Sequence, residues 1–280
     1  MFYNNVGEAV ADTVKKSASG SDSGWILHHV MDSNSIDFEP FGTLYLPHLQ
    51  LLGLDISITK HVFFMWIVAL VLIIVLYVGS RKYKKSLIPH GLTNFLEIII
   101  LFVRDEIVKP TIGKGYEKFL PYLLTTFFFI LTSNLFGLLP YSATVTSNIG
   151  VTAALATLTF AMTQFGGMRS QGPIKYFIGL VPTGMPVAIL PLIIVVEILG
   201  LFTKPFALCI RLFANMIAGH VVILSLLGLI FILQTVFVAP VSIAFAIFIY
   251  LLELLVALIQ AYIFTMLSSL FIGMAVHQEH

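Results

Sequence analysis

Phe206-Ala-Leu-Cys-Ile-Arg-Leu-Phe-Ala-Asn-Met-Ile-Ala-Gly-His220 sets an arginine, Arg211, in the middle of an otherwise apolar run. An arginine at membrane depth costs roughly 2.5–3.5 kcal/mol on insertion scales. It cannot escape that cost by losing its proton, because its pKa stays above about 12. The run belongs to a 48-residue apolar stretch, 187–234, interrupted only by Thr203-Lys204-Pro205. A straight helix of that length would measure roughly 70 Å at 1.5 Å per residue, more than twice a hydrocarbon core about 30 Å thick. Residues 236–276 are similarly overlong. Two ordinary crossings in each stretch would need polar turns that are absent. What remains is a pair of long, steeply tilted helices, the first bent at Pro205 and the two parted near Pro240. A chain keeps a fixed charge inside such helices where the charge is useful, so ion movement is the leading expectation.

Composition supports the membrane reading along the whole chain. It is 58% hydrophobic and 10% charged, against about 25% charged in soluble domains. The net charge of +1, with no basic cluster interleaved with aromatics, excludes nucleic-acid binding. Residues 1–60 are polar and mixed, include the Ser/Gly-rich run 17–24, and lack the apolar core of a cleavable secretory signal within 1–24. We read them as an extracytoplasmic segment docked near Trp25 and Leu44–Leu54, and 61–280 as the membrane domain. The first crossing spans Val62–Gly79, and the basic cluster Arg81–Lys85 behind it marks the cytoplasm. Leu92–Val108 is too short and too charged to span, and fits an amphipathic helix on the cytoplasmic surface. Phe119–Leu139 crosses outward and Ile149–Gly167 crosses back, with Arg169 and Lys175 again cytoplasmic. The expected fold is therefore an all-α integral membrane protein: five membrane-inserted helices plus a cytoplasmic-surface amphipathic helix, the last two long and steeply tilted. The N-terminus lies outside, the last external turn falls near 234–240, and the C-terminus is cytoplasmic.

Few ionisable residues occur between 186 and 276: Glu197, Lys204, Arg211, His220 and Glu253, with Asn215, Gln234 and Gln260 as polar neighbours. Such residues usually mark ion pathways or proton relays. Asn215 follows Arg211 by four residues and shares its face. Ala207, Ala214 and Ala218 add a small-residue stripe that lets another helix come close. His220 is nine residues on, about 180° around the helix, and Glu197 is 14 residues earlier, so neither touches Arg211 directly. Glu253 and Gln260, seven apart, share one face of the last helix. A His220–Glu253 pair suits a proton relay, since imidazole titrates near neutrality.

Plainer readings stand beside these. Glu197 or His220 alone serves equally as a satisfied structural residue, Lys204 snorkels to the cytoplasmic interface, and Arg211 bridges Glu253 within the chain. Cys209, the single cysteine, is a small packing residue. His28, His29, His48 and His61 have no ligand spacing, so no metal site is expected, and no cofactor. No phosphate-binding loop, nucleophile elbow or zinc-ligand cluster appears, so the chain has no catalytic site of its own.

Glu197, Lys204-Pro205, Arg211-Leu-Phe-Ala-Asn215-Met-Ile-Ala-Gly-His220, Glu253 and Gln260-Ala-Tyr-Ile-Phe264 together resemble subunit a of the F-type ATP synthase membrane sector. Asn134-Leu-Phe-Gly-Leu-Leu-Pro140 and the basic loop after the first span extend the resemblance over most of 60–276. The resemblance implies a bacterial inner-membrane stator subunit pressed against a ring of c subunits, each with a mid-membrane carboxylate. It also implies b-type peripheral stalk subunits and surrounding lipid as partners. Arg211 would face the ring. His220 and Glu253 would line an external half-channel and Glu197 a cytoplasmic one, with Asn215 and Gln260 near Arg211. Some bacterial members carry Glu where His220 stands and His where Glu253 stands. This chain has the exchanged pair, as mitochondrial relatives do, which is consistent with the two positions interacting. Coupling by protons or by sodium stays open, since the ring carboxylate site belongs to another chain. The main rival is a secondary transporter using Arg211 for an anionic substrate, whose paired broken helices and internal repeat are missing. A membrane-embedded enzyme is more distant.

Overall fold

The computed structural model describes residues 35–38, 42–45, 47, 50–51, 54–55, 57, 59–83, 91–139, 142, 144–179, 190–233 and 237–277. The run 17–24, Trp25, His28, His29, His48, Lys84, Lys85, Pro140 and Gln234 lie outside these residues. Two short antiparallel ladders precede the helices. Strand β1 (Ser35–Phe38) pairs with β2 (Gly42–Tyr45), and β3 (Gln50–Leu51) pairs with β4 (Leu54–Asp55). The sequence reading gave this segment no strands, although Ser-Ile-Asp-Phe alternates with the two-residue period of a strand.

Helix α1 covers Lys60–Tyr83. Helix α2 (Leu92–Phe102) runs through a π-helical turn, Val103–Val108, into α3 (Lys109–Ile112). Then follow α4 (Leu120–Gly137), a 3-10 turn at Val145–Ser147, α5 (Ile149–Gln171), the short α6 (Pro173–Ile178), α7 (Leu190–Leu233) and α8 (Ala239–Val276). Five of these, α1, α4, α5, α7 and α8, are long and apolar enough to cross a membrane. Local chemistry sets their ends. The Asn148 side chain accepts a hydrogen bond from Gly150 N at 2.8 Å and caps α5. At its other end Gly172 adopts φ 85°, a conformation that favours glycine, and Pro173 opens α6.

Helices α7 and α8 contain 44 and 38 residues, roughly 66 and 57 Å of helix. Each exceeds the hydrocarbon thickness, which a helix accommodates by tilting. Pro205 lies inside α7 without ending it. Helix α8 packs on α4, α5 and α7, while α1 packs on α4 and α2. Inside a membrane the hydrophobic effect gives helices no reason to associate, so close contact has to come from small and polar residues. The buried face of α8 obeys this, with Ser242, Ala246, Ala257, Ala261, Ser268, Ser269 and Gly273, while Ile247, Phe248, Leu251 and Leu255 point outward.

The segment after α1, expected to be an amphipathic surface helix, has an exposed side and a buried one. Phe95, Ile98 and Phe102 of α2 are exposed, but Val103, Ile107, Val108 and Ile112 are buried in the common core with α4 and α8. Thr111 hydrogen-bonds Ser269, and a Cβ on Gly273 would run into the Thr111 carbonyl. The π turn adds a residue to the helical repeat. Leu96 of α2 and Val103, Ile107 and Ile112 beyond its end all pack into that same core.

Candidate functional site

Where the N-terminal half of α8 packs on the C-terminal half of α7, the imidazole of His220 meets Glu253, with Nδ1 3.1 Å from Oε1. Glu253 is only 4% exposed, and its carboxylate makes no aligned hydrogen bond among the described residues, so His220 is its partner by proximity and charge. Gly219 permits the approach, since any Cβ there would collide with the carboxylate. The opposite ring nitrogen of His220, Nε2, contacts the hydroxyl of Thr144. Thr144 leads into the buried 3-10 turn between α4 and α5, where Thr146 donates to Asn134 Oδ1 at 2.7 Å and Ser147 lies 3.2 Å from His61 Nε2. On its other side Glu253 borders a groove of about 300 Å³, which Asn215, Ala218, Gly219 and Val222 share with Ile249 and Leu252.

Deeper along α7, Arg211 is exposed, and no described residue gives it a hydrogen bond or an ion pair. The bridge from Arg211 to Glu253 weighed above is not formed, because Glu253 faces His220 instead. Leu208, Leu212 and Met216 bury the opposite face of α7 against the bundle, so the face bearing Arg211, Ala207, Ala214, Asn215 and Ala218 looks outward. Asn215 Nδ2 donates to Gln260 Oε1 at 2.9 Å, tying α7 to α8 one turn beyond Arg211. Gln260 is 2% exposed, and Asn215 sits at the mouth of the Glu253 groove. Cys209 is buried, with its Sγ 3.5 Å from Thr152 Oγ1.

Toward the other end of α7, Glu197 lines a separate cavity of about 180 Å³, shared with Thr159, Thr163, Gln164, Tyr176 and Lys204. Lys204 lines the same cavity, with its ammonium 5.5 Å from the Phe271 ring centroid. Hydroxyls continue from the cavity wall: Thr159 lies 2.8 Å from Tyr122 OH and 3.5 Å from Ser268 Oγ. Burial pushes the Tyr176 phenol above its ordinary pKa, partly offset by the Gln164 side chain, so it stays a proton donor across the neutral range. The two polar regions are thus divided along α7, and Arg211 stands between them. Among the described residues no group of three or more His, Cys, Asp or Glu could hold a metal ion.

Sequence reasoning missed Thr144, Ser147 and His61 at one end, and Thr159, Thr163 and Gln164 at the other. A signal existed for both. Residues 142–147 carry four hydroxyls in six positions, and Thr163-Gln164 is a polar pair inside a span.

Residues 62–273 match the family described as ATP synthase A chain. Over 258 residues the chain is 54% identical to ATP synthase subunit a of Chloroherpeton thalassium, covering 91% of this chain and 77% of the relative. It is 51% identical over 272 residues to ATP synthase subunit a 2 of Chlorobaculum tepidum, covering 96% and 77%. With ATP synthase subunit a of an Anaeromyxobacter species the identity is 43% over 312 residues, covering 96% and 76%. An arginine-bearing pair of overlong helices, three further spans and a family match across nearly all of them lead to one assignment: the chain belongs to the subunit a family of F-type ATP synthases, as a multi-pass, non-catalytic component of the membrane sector.

Proposed function

We propose that this chain is the stator side of a proton path, with two offset half-channels that load and unload carboxylates on a ring of c subunits, and with Arg211 as the charge facing that ring. The observation that carries the reading is the exposure of Arg211 with no counter-charge among the described residues. A guanidinium left unpaired against hydrocarbon is costly, so the arrangement calls for a carboxylate from another subunit. Alanines around it leave room for a second helix to approach.

The steps follow from charge. A protonated ring carboxyl faces lipid at little cost, whereas a carboxylate does not. Approach to Arg211 favours ionisation, because a fixed opposite charge stabilises the anion. The released proton leaves through the cavity lined by Glu197, and a new one arrives by way of His220 and Glu253, whose groove opens beside Asn215. Arg211, between them, repels a proton that would pass straight from one side to the other. Gln260 holds Asn215 and so keeps α7 and α8 in register at this depth. The driving force is about 2.3 kcal/mol per charge for each 100 mV of membrane potential, plus the pH gradient.

In this reading the chain sits in a bacterial inner membrane with its N-terminus outside and its C-terminus in the cytoplasm, as the cationic residues Arg81, Arg169 and Lys175 favour. Residues 1–60 form the extracytoplasmic segment, 61–280 the membrane domain, and α2 lies along the cytoplasmic interface. Subunits of the b type anchor the chain against rotation. The test is ATP-driven proton pumping in inverted vesicles carrying Arg211→Ala at matched assembly. Loss of pumping with increased passive leak supports Arg211 as ring partner and seal; normal pumping would return it to a structural role.

A further inference from the structure

His61 is a buried titratable group that the proton path above does not use. It is the second residue of α1 and only 2% exposed. An imidazole taken out of water needs hydrogen-bond partners, and one of these is Ser147 Oγ, 3.2 Å from Nε2. The single hydroxyl proton of Ser147 goes to the Thr144 carbonyl at 2.8 Å. Ser147 Oγ is therefore the acceptor, and Nε2 of His61 carries the donating hydrogen.

We propose that His61 is a positioning residue for the outer proton path: by holding Ser147 it fixes the 3-10 turn, and through that turn it sets where the Thr144 hydroxyl meets His220. The inference rests on the functional reading given above. Three anchors hold the turn. Thr146 is tied to Asn134 of α4, Ser147 to His61 of α1, and the turn closes on itself through Ser147 N to Thr144 O at 3.0 Å. Thr144 itself is seated against Gly137, where a Cβ would overlap its side chain. Its hydroxyl therefore has little freedom of its own, and its aim is that of the turn.

That aim matters because of the His220 ring. Nδ1 faces Glu253, so with Glu253 ionised it carries the hydrogen, and Nε2 must accept from Thr144. When His220 takes up a proton at Nε2, the same hydroxyl rotates and accepts. A threonine hydroxyl serves both states because it both donates and accepts. Misplacing it leaves His220 able to swing away from Glu253.

The experiment measures ATP-driven pumping and ATP synthesis in inverted vesicles containing the complete synthase, normalised to assembled complex. The variants are His61→Ala, His61→Gln, His61→Asn, Thr144→Val and the double variant His61→Ala/Thr144→Val, with Arg211→Ala alongside. The expected result is a three- to tenfold loss for His61→Ala. Recovery to at least half of wild type is expected for His61→Gln, whose amide nitrogen can stand where Nε2 does, and not for His61→Asn. His61→Ala should add no further loss in the Thr144→Val background, since a residue acting only through Thr144 has nothing left to act on. Multiplicative losses in the double variant, equal behaviour of Gln and Asn, or wild-type rates in His61→Ala would each overturn the inference. If His61→Ala fails to assemble, the Gln and Asn variants carry the test. Pumping that survives Arg211→Ala would break the functional reading itself, which separates the two failures.

Discussion

Arg104 and Arg211 both reach the molecular surface, yet among the described residues Arg104 is paired with an acid and Arg211 is not. Arg104 Nε and Nη2 donate to the two carboxylate oxygens of the adjacent Asp105, at 3.0 and 2.8 Å, a bidentate pair. Among the described residues Arg211 has no ion pair, and Glu253 of the neighbouring helix lies 3.1 Å from His220. In the function proposed here, the arginine without a described partner is the one kept for a carboxylate that comes and goes. In that reading the two arginines serve different ends, one fastened by the acid beside it and the other reserved for exchange.

The sharpest way to break the contrast is to give Arg211 what Arg104 has. Ala207 lies one turn before Arg211 on the same exposed face, so Ala207→Glu would set a carboxylate at i−4, within pairing distance. In low dielectric such a pair competes with any ring carboxylate. Pumping should fall roughly a hundredfold if the in-chain pair is worth about 3 kcal/mol. The control is Ala207→Gln, of nearly equal volume, which should keep at least half of the wild-type rate. Equal losses in the two variants would mean that bulk, not charge, is what that face excludes.

A smaller effect tests the other side of the comparison, the acid that is already paired. Because His220 and Glu253 lie 3.1 Å apart, each single exchange, His220→Glu or Glu253→His, sets two like groups against each other. Each should cost roughly tenfold in pumping, about 1.4 kcal/mol. The double exchange restores one acid and one imidazole and should recover to within about threefold, a coupling of the kind double-mutant cycles detect between groups in contact. Failure of the double variant to exceed either single would show that the two positions are not interchangeable in this packing, and that Gly219 and Thr144 have specialised around one order.

Much of this arrangement could be read from the chain. The lengths of α7 and α8 follow from apolar runs that lack any polar turn, and the shared face of Glu253 and Gln260 follows from helical arithmetic alone. Both residues do lie on the buried face of α8. Arg211 and Asn215 fell on one face for the same reason. Tertiary neighbours were less legible. His61 and Ser147 are 86 positions apart, and Thr144 and His220 are 76 apart; nothing in a hydroxyl-rich turn announces which buried ring it will meet. The contact of Lys204 with the Phe271 ring was hidden for the same reason, since the two residues lie far apart in the sequence. The π turn escaped notice too, since inserting one residue into a helical repeat leaves composition untouched and shows only in which side chains become buried.

The least consequential substitution in the comparison is Asp105→Asn, and its smallness is informative. The hydrogen bond from Arg104 holds the Asp105 carboxyl below its ordinary pKa, with the charges of Arg104 and Lys109 acting in the same direction and burial opposing them. For a carboxyl depressed in the folded state, the stabilisation is present above the unfolded pKa, about 3.9, and is lost as pH falls through the folded value. Between pH 6 and pH 8 it is therefore fully present and constant. Asp105→Asn should lower the thermal stability of the assembled complex by the same small amount across that range, and by less at high salt, because partly exposed pairs are screened. Pumping should stay within about twofold of wild type. A pumping loss comparable with that of the Arg211 face would mean that Arg104 and its carboxylate belong to the ion path, and the division between a fastened charge and a reserved one would have to be redrawn.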